Sequence, residues 1–190
     1  MAAMQLFVTV ALIQAAASRT LLVPSRLVAE VPVLQACSGV RGNACVFEAP
    51  IARSIHGRGN YTFSGAFNIT RSAQHIAEIL LDFTRCRDVV SSNTCEHFHT
   101  WRLHRNACRT WMDPEAPWAS LVKAFSSSYQ CPTKEGTYRM KDATLDTKGL
   151  SLLNLPLEGA VWQTTITFVE PTGSTHYCIE GTTVFHRVRA

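Results

Sequence analysis

Apolar and polar residues alternate in several short segments of this chain, and turn-forming residues separate the segments. The clearest alternation runs through residues 60–70, NYTFSGAFNIT, where one parity carries Tyr61, Phe63, Phe67 and Ile69. Threonine, serine and asparagine dominate the other parity. Because side chains of a strand point alternately to its two faces, this pattern predicts a β-strand with one buried face.

Three segments in the last third of the chain also read as short strands. They are GTYRMKDATL (136–145), AVWQTTITFVE (160–170) and THYCIEGTTVFHRV (175–188). The PTGS sequence between the last two predicts a turn that brings them together as partners. In the middle segment one face carries Trp162, Ile166 and Phe168.

Two other segments require a choice between helix and strand. HIAEILLDFTRC (75–86) fits both periods, and we predict a strand because Cys86 ends it and β-like segments follow. PWASLVKAF (117–125) begins with proline and then follows the i, i+3, i+4, i+7 rule with Trp118, Leu121, Val122 and Phe125. The lead at residues 19–35 has two prolines and is expected to be extended or poorly ordered. Together these elements predict an all-β sandwich with one short helix.

The first 18 residues, MAAMQLFVTVALIQAAAS, have the features of a signal peptide. They carry no charged side chain, an apolar centre from Leu6 to Ile13, and small residues where a signal peptidase cleaves. The apolar run is shorter than the ~20 residues that span a bilayer, so secretion is favoured over a membrane anchor. Residues 19–190 are then predicted to form a single domain.

A cysteine- and histidine-rich stretch, TCEHFHTWRLHRNAC (94–108), carries side chains of the types that bind zinc: Cys95, His97, His99, His104 and Cys108. However, no C-x-x-C occurs in the chain, and Glu96 precedes both nearby histidines, so H-E-x-x-H is absent as well. In an exported protein the cysteines are expected to form disulfides, with histidines facing solvent between them. No metal site is predicted.

Composition narrows the functional classes. The net charge of +4 is modest and the basic residues are scattered, which argues against nucleic-acid binding. No G-x-S-x-G elbow occurs, so we predict neither an enzyme nor a cofactor. Asn60-Tyr-Thr and Asn68-Ile-Thr are sequons on the polar parity of their segment, and both asparagines are predicted to carry glycans.

Four motifs in the second half of the chain resemble a known family. They are TCEHF (94–98), CPTKEGTY (131–138), LPLEG (155–159) and the cysteine of HYCIE, Cys178. In order and spacing they are similar to the ganglioside-activator branch of the ML (lipid-recognition) domain family, over roughly residues 86–188. The resemblance implies an immunoglobulin-like β-sandwich whose sheets open into a cup with an apolar cavity.

The resemblance also implies a disulfide pattern. It pairs Cys86 with Cys95 and Cys108 with Cys131, and it ties Cys178 to either Cys37 or Cys45, leaving one cysteine of the seven free. A local Cys37–Cys45 pair remains an alternative. We favour the long-range bridge because closing a large loop removes more entropy from the unfolded chain. The further bridge that the branch has before its counterpart of Cys131 is absent here.

By the same resemblance, a set of apolar residues would surround a bound lipid. The expected cavity residues are Phe63, Phe67, Leu81, Phe83, Trp111, Trp118, Leu121, Val122, Phe125, Leu150, Leu153, Leu155, Trp162, Ile166 and Phe168. The expected mouth comprises residues 111–125 and 150–157. On sequence alone, Trp118, Leu121, Val122 and Phe125 are more typical of an ordinary hydrophobic core, and the resemblance reverses that preference.

The implied function is that of a secreted or lysosomal lipid-binding or transfer protein, with a glycolipid, fatty acid or sterol-like ligand. Its expected partners are a lipid hydrolase or a receptor, together with peripheral contact to a membrane but no transmembrane segment. The alternative is an extracellular recognition or co-receptor protein that transfers no lipid.

Overall fold

The computed structural model describes residues 25–57, 60–126, 129–147, 150 and 156–189. The predicted signal peptide and two of the expected cavity residues, Leu153 and Leu155, lie outside these ranges. The described strands are β1 Ser25–Ala36, β2 Cys45–Phe47, β3 Ala52–His56, β4 Asn60–Ile69, β5 Glu78–Cys86, β6 Cys95–Leu103, β7 Gly136–Ala143, β8 Val161–Val169 and β9 Thr175–Arg189. Two short helices, α1 Ala107–Trp111 and α2 Ala119–Lys123, lie between β6 and β7.

The strands form two antiparallel sheets. One has five strands in the order β1-β9-β8-β5-β6. In the other, β4 is the strand with which β2, β3 and β7 all pair. The all-β, disulfide-containing fold predicted from the alternating segments is therefore confirmed.

The buried faces are the ones that the alternation predicts. On β4 Phe63 and Phe67 are buried, and on β8 Trp162 and Phe168 are buried, each on one parity. The ambiguous segment 75–86 forms strand β5, and its alternate residues face the core. Full burial of one such large side chain stabilises the fold by about 1.5–3 kcal/mol.

The N-terminal lead is ordered as a strand from Ser25 onward. Strand β1 pairs with β9 along most of its length, and the register shifts between Glu30 and Val33. Pro32 lies inside that irregularity, on a strand at the edge of its sheet. Because proline has no N–H to donate, an edge bulge is where a strand tolerates it.

One helix was expected, and the structure adds a second. The predicted helix at 117–125 is α2, while α1 begins after Asn106, whose φ of 53° is left-handed. A helix of five residues is too short to show a hydrophobic period. Cys108, which bridges to Cys131, and the buried Trp111 hold α1 in place.

Three disulfides staple the sandwich. Cys86–Cys95 joins β5 to β6, and Cys108–Cys131 joins α1 to the segment before β7. Cys178 of β9 pairs with Cys37, which follows β1, across a sequence separation of 141. Cys45 is buried and unpaired, so of the two open alternatives the long bridge uses Cys37.

None of the helices in the described ranges is long and apolar enough to cross a membrane.

Candidate functional site

An apolar cavity of about 110 Å³ lies between the two sheets. Strands β1, β4, β5, β6, β8 and β9 contribute to its walls, and α2 covers one side through Leu121. No titratable side chain lines it in the described part of the chain. The cavity therefore offers dispersion contacts and exclusion of water, and no acid or base.

The structure brings eight of the expected cavity residues together around this space: Phe63, Leu81, Phe83, Trp118, Leu121, Leu150, Trp162 and Ile166. Five others lie elsewhere, namely Phe67, Trp111, Val122, Phe125 and Phe168. Phe67 and Phe168 are buried core residues on the predicted faces. The alternation along a strand predicts which face a residue occupies. It does not predict at which positions along the strand the two sheets are far enough apart to leave a cavity.

Several lining residues were not among the expected ones. Strand β9 contributes alternate positions, including Ile179, Thr183 and Phe185, and β1 contributes Val31 and Leu34. The alternation in TTVFHRV was a usable signal for β9. Leu145 carries no such signal, since it lies in a connecting segment, whereas Leu157 belongs to the expected mouth at 150–157.

The helix α2 is fixed beside the cavity by two tryptophans. Trp118 stacks on Trp111 with ring centroids 5.6 Å apart, and its indole N–H donates to the Trp111 carbonyl at 2.9 Å. Leu121, which is 8% exposed, faces both the cavity and a small cluster that contains Phe63 and Met140. A helix this short is not stable alone, so these contacts determine its position.

At one end the cavity adjoins a wide groove of about 1250 Å³, whose wall carries both apolar and charged side chains. Leu145 and Leu157 border both spaces. Arg187 in the groove wall donates to Glu158 from Nε at 2.8 Å, and this hydrogen bond holds the pKa of the Glu158 carboxyl below its usual range. Arg26 donates to the side-chain oxygen of Asn60 at 2.6 Å. The apolar cavity thus borders a groove that carries charged side chains.

The opposite end is filled by a buried hydroxyl cluster. The Trp111 indole N–H donates to Tyr129 Oη at 2.9 Å, and Tyr129 Oη lies 3.3 Å from Tyr177 Oη. Thr133 donates to the same Tyr177 oxygen. Burial raises the pKa of Tyr129 to about 12 and that of Tyr177 well above 10. Both phenols therefore remain neutral, and their hydroxyls pair with one another.

His176 is also buried at this end, next to the Cys37–Cys178 bridge. Its Nδ1 lies 3.4 Å from Glu170 Oε1, yet neither ring nitrogen makes a hydrogen bond within the described ranges. Burial, assisted by the Arg71 guanidinium, lowers the pKa of His176 below its ordinary 6.5 against the opposing Glu170 carboxylate. Arg71 in turn donates to Glu170 at 2.7 Å, and this lowers the pKa of that carboxyl.

The cysteine- and histidine-rich stretch forms β6 and the start of α1. Both of its cysteines are in disulfides, and His97 and His99 are exposed between them. His97 Nε2 lies 2.9 Å from Thr100 Oγ1. Across residues 25–57, 60–126, 129–147, 150 and 156–189, no three or more His, Cys, Asp or Glu side chains are grouped as metal ligands would be.

Neither protein-family models nor curated proteins match this sequence. What the site can do follows from its own chemistry: an apolar cavity, an adjoining groove with charged side chains and a buried hydroxyl cluster at the other end.

Proposed function

We propose that this protein is a secreted or lysosomal carrier that holds the tail of a lipid between its sheets and leaves the polar head in the groove. The observation that carries the proposal is an apolar cavity that shares Leu145 and Leu157 with a groove containing charged side chains. Each methylene moved from water into such a space is worth about 0.8 kcal/mol. The motif resemblance to ML lipid-recognition domains supports the same function, and the three disulfides suit an exported protein.

The size of the cavity limits what enters without rearrangement. Sites for small molecules usually measure about 300–1000 Å³, whereas this one is about 110 Å³. It therefore accommodates only part of a long acyl chain as it stands. We propose that a whole chain enters by displacing α2, a five-residue helix held by the preceding Trp118, by the packing of Leu121 and by two hydrogen bonds of Ser120.

Exposed apolar residues at the entrance end suit contact with a membrane. Val89 and Val90 lie in the loop after β5, and Ile55 pairs with Tyr61, a groove residue. We propose that these side chains touch the lipid surface from which the ligand is taken. The same patch suits a protein partner, which keeps an extracellular recognition or co-receptor protein as the second candidate.

The first experiment asks whether any lipid is bound. Native mass spectrometry of the protein purified from its own source, followed by lipid extraction, is expected to show a stoichiometric lipid. The purified protein is also expected to take up a fluorescent fatty acid or glycolipid. If it carries no lipid and takes up none from any class, the carrier function is refuted and the recognition function stands.

A second experiment tests the membrane contact. Val89→Asp is expected to slow lipid transfer from phosphatidylcholine vesicles several-fold without changing the melting temperature. Val46→Asp is the matched control, because Val46 is similarly exposed but lies on β2, opposite Asn68 near the far end of β4. Equal effects of the two substitutions would contradict the proposed contact.

A further inference from the structure

Two threonine hydroxyls lie in the wall of the otherwise apolar cavity. They belong to Thr164 on β8 and Thr183 on β9. Apart from indole groups, theirs are the only polar side-chain atoms among the described lining residues. Valine has nearly the same shape as threonine and would fill these positions without placing a hydroxyl there.

The register of β8 and β9 makes the two threonines neighbours. Thr164 pairs with Gly181, and Thr183 pairs with Trp162, so the two side chains are diagonal partners on the same face. Side chains related in this way have Cα atoms about 7–8 Å apart. A single ligand group between the two strands is therefore within reach of both hydroxyls.

Neither hydroxyl has a hydrogen-bond partner among the residues that the structure describes. Thr183 is only 7% exposed, and no side-chain hydrogen bond is formed by it or by Thr164 with any part of the chain that the structure describes. Thr133, which is fully buried, instead donates to Tyr177. Neither oxygen is among the side-chain atoms that are fully buried without a hydrogen bond, so both hydroxyls are accessible from the cavity that they line.

The pair lies within the cavity, not at its entrance. Along β9, Phe185 lies on the entrance side of Thr183, and Ile179 lies toward the Cys37–Cys178 bridge. A ligand head in the groove therefore does not account for these hydroxyls, which face the part of the ligand that the cavity encloses.

We propose that Thr164 and Thr183 form a polar subsite for a hydroxyl group carried within the apolar part of the ligand, such as a mid-chain hydroxyl of an acyl chain. A threonine hydroxyl both donates and accepts, so a pair of them satisfies both the proton and the lone pairs of a ligand hydroxyl. This assignment rests on the proposed lipid-binding function and narrows it to hydroxylated lipids.

The test compares octadecanoic acid with its isomeric hydroxy acids in competition against a fluorescent fatty acid. Acids hydroxylated at successive mid-chain carbons are used, and 2-hydroxyoctadecanoic acid serves as the control whose hydroxyl stays beside the carboxylate. The wild-type protein is expected to bind the best mid-chain isomer about tenfold more tightly than octadecanoic acid. Thr164→Val and Thr183→Val are each expected to reduce that preference to near unity, since each removes one of the two hydroxyls.

Thr165→Val and Thr182→Val are the matched controls, since both residues occupy the opposite parity of the same strands. They are expected to keep the preference, and thermal melting confirms that all four variants fold. A wild-type protein without preference at any mid-chain position, or a preference that survives both cavity substitutions, overturns the subsite. If neither acid binds at all, the lipid-binding function itself fails.

Discussion

Replacing Leu121 with alanine tests whether α2 forms the movable wall of the cavity. Leu121 is 8% exposed and packs against Val31, Phe63, Met140 and Ala143 on one side, while its other side faces the cavity. Buried Leu→Ala substitutions cost about 2–5 kcal/mol, and the cost grows with the empty volume left behind. Because one side of Leu121 already faces empty space, we expect the lower half of this range, about 3 kcal/mol.

The expected loss is large enough to measure by thermal unfolding. For a chain of this length, 1 kcal/mol shifts the melting temperature by about 2–4 °C, so Leu121→Ala should lower it by about 6–12 °C. A lipid at 100 times its dissociation constant should raise the free energy of unfolding by about 2.7 kcal/mol. Because the substitution enlarges the cavity, the stabilisation by a long-chain fatty acid is expected to be at least as large as in the wild type.

Val122→Ala is the matched control from the same helix. Val122 lies beside Phe125 and Tyr129 in a small surface groove and does not line the cavity. It should cost less than about 1.5 kcal/mol and leave the stabilisation by lipid unchanged. If the two substitutions cost the same, or if Leu121→Ala reduces the stabilisation by lipid, α2 does not border the binding space and the reasoning fails.

Acid, a thiol reagent and a glycosidase probe three other parts of the molecule. Because burial lowers the pKa of His176 below 6.5, the unfolded chain binds its proton more tightly, so the free energy of unfolding should fall as the pH drops below about 6.5. Thermal melts across this range should show a shallower fall for His176→Gln, and an equal slope would refute the account. Cys45 is buried with a pKa of about 12, so a thiol reagent should label it only after denaturation; rapid labelling of the native protein would contradict its placement. In a eukaryotic secretory host Asn60→Gln and Asn68→Gln should each remove one glycan from the mass shift on deglycosylation, and an unchanged shift in either variant would rule out that site.

The faces of the strands were predictable because side-chain alternation is a local property. Phe63 and Trp162 were assigned to the interior from their immediate neighbours, and both line the cavity. Ile79 and Leu81 are buried on β5. Segment 75–86 forms a strand and not a helix because it pairs with a neighbouring strand on each side.

Other features depend on pairings far apart in the sequence. Phe67 shares a face with Phe63, yet it packs in the core against Phe125 and Tyr138 because it lies farther from the entrance. The choice between Cys37 and Cys45 depended on where β1 meets β9, which no local pattern encodes. The five residues of α1 were too few for any periodic signal.

The pairing of the first described strand with the last has a consequence for biosynthesis. Strand β1 is synthesised long before β9, so Cys37 leaves the ribosome before its partner Cys178 does. Cys45, in contrast, lies only eight residues from Cys37. Closing that short loop costs about 2.5 kcal/mol less chain entropy than closing the 141-residue separation to Cys178. We therefore expect a nascent chain in an oxidising compartment to form Cys37–Cys45 first. In a later thiol–disulfide exchange, the Cys178 thiolate would attack the Cys37 sulfur of this bond. The exchange forms Cys37–Cys178 and releases Cys45 as the free thiol of the mature core.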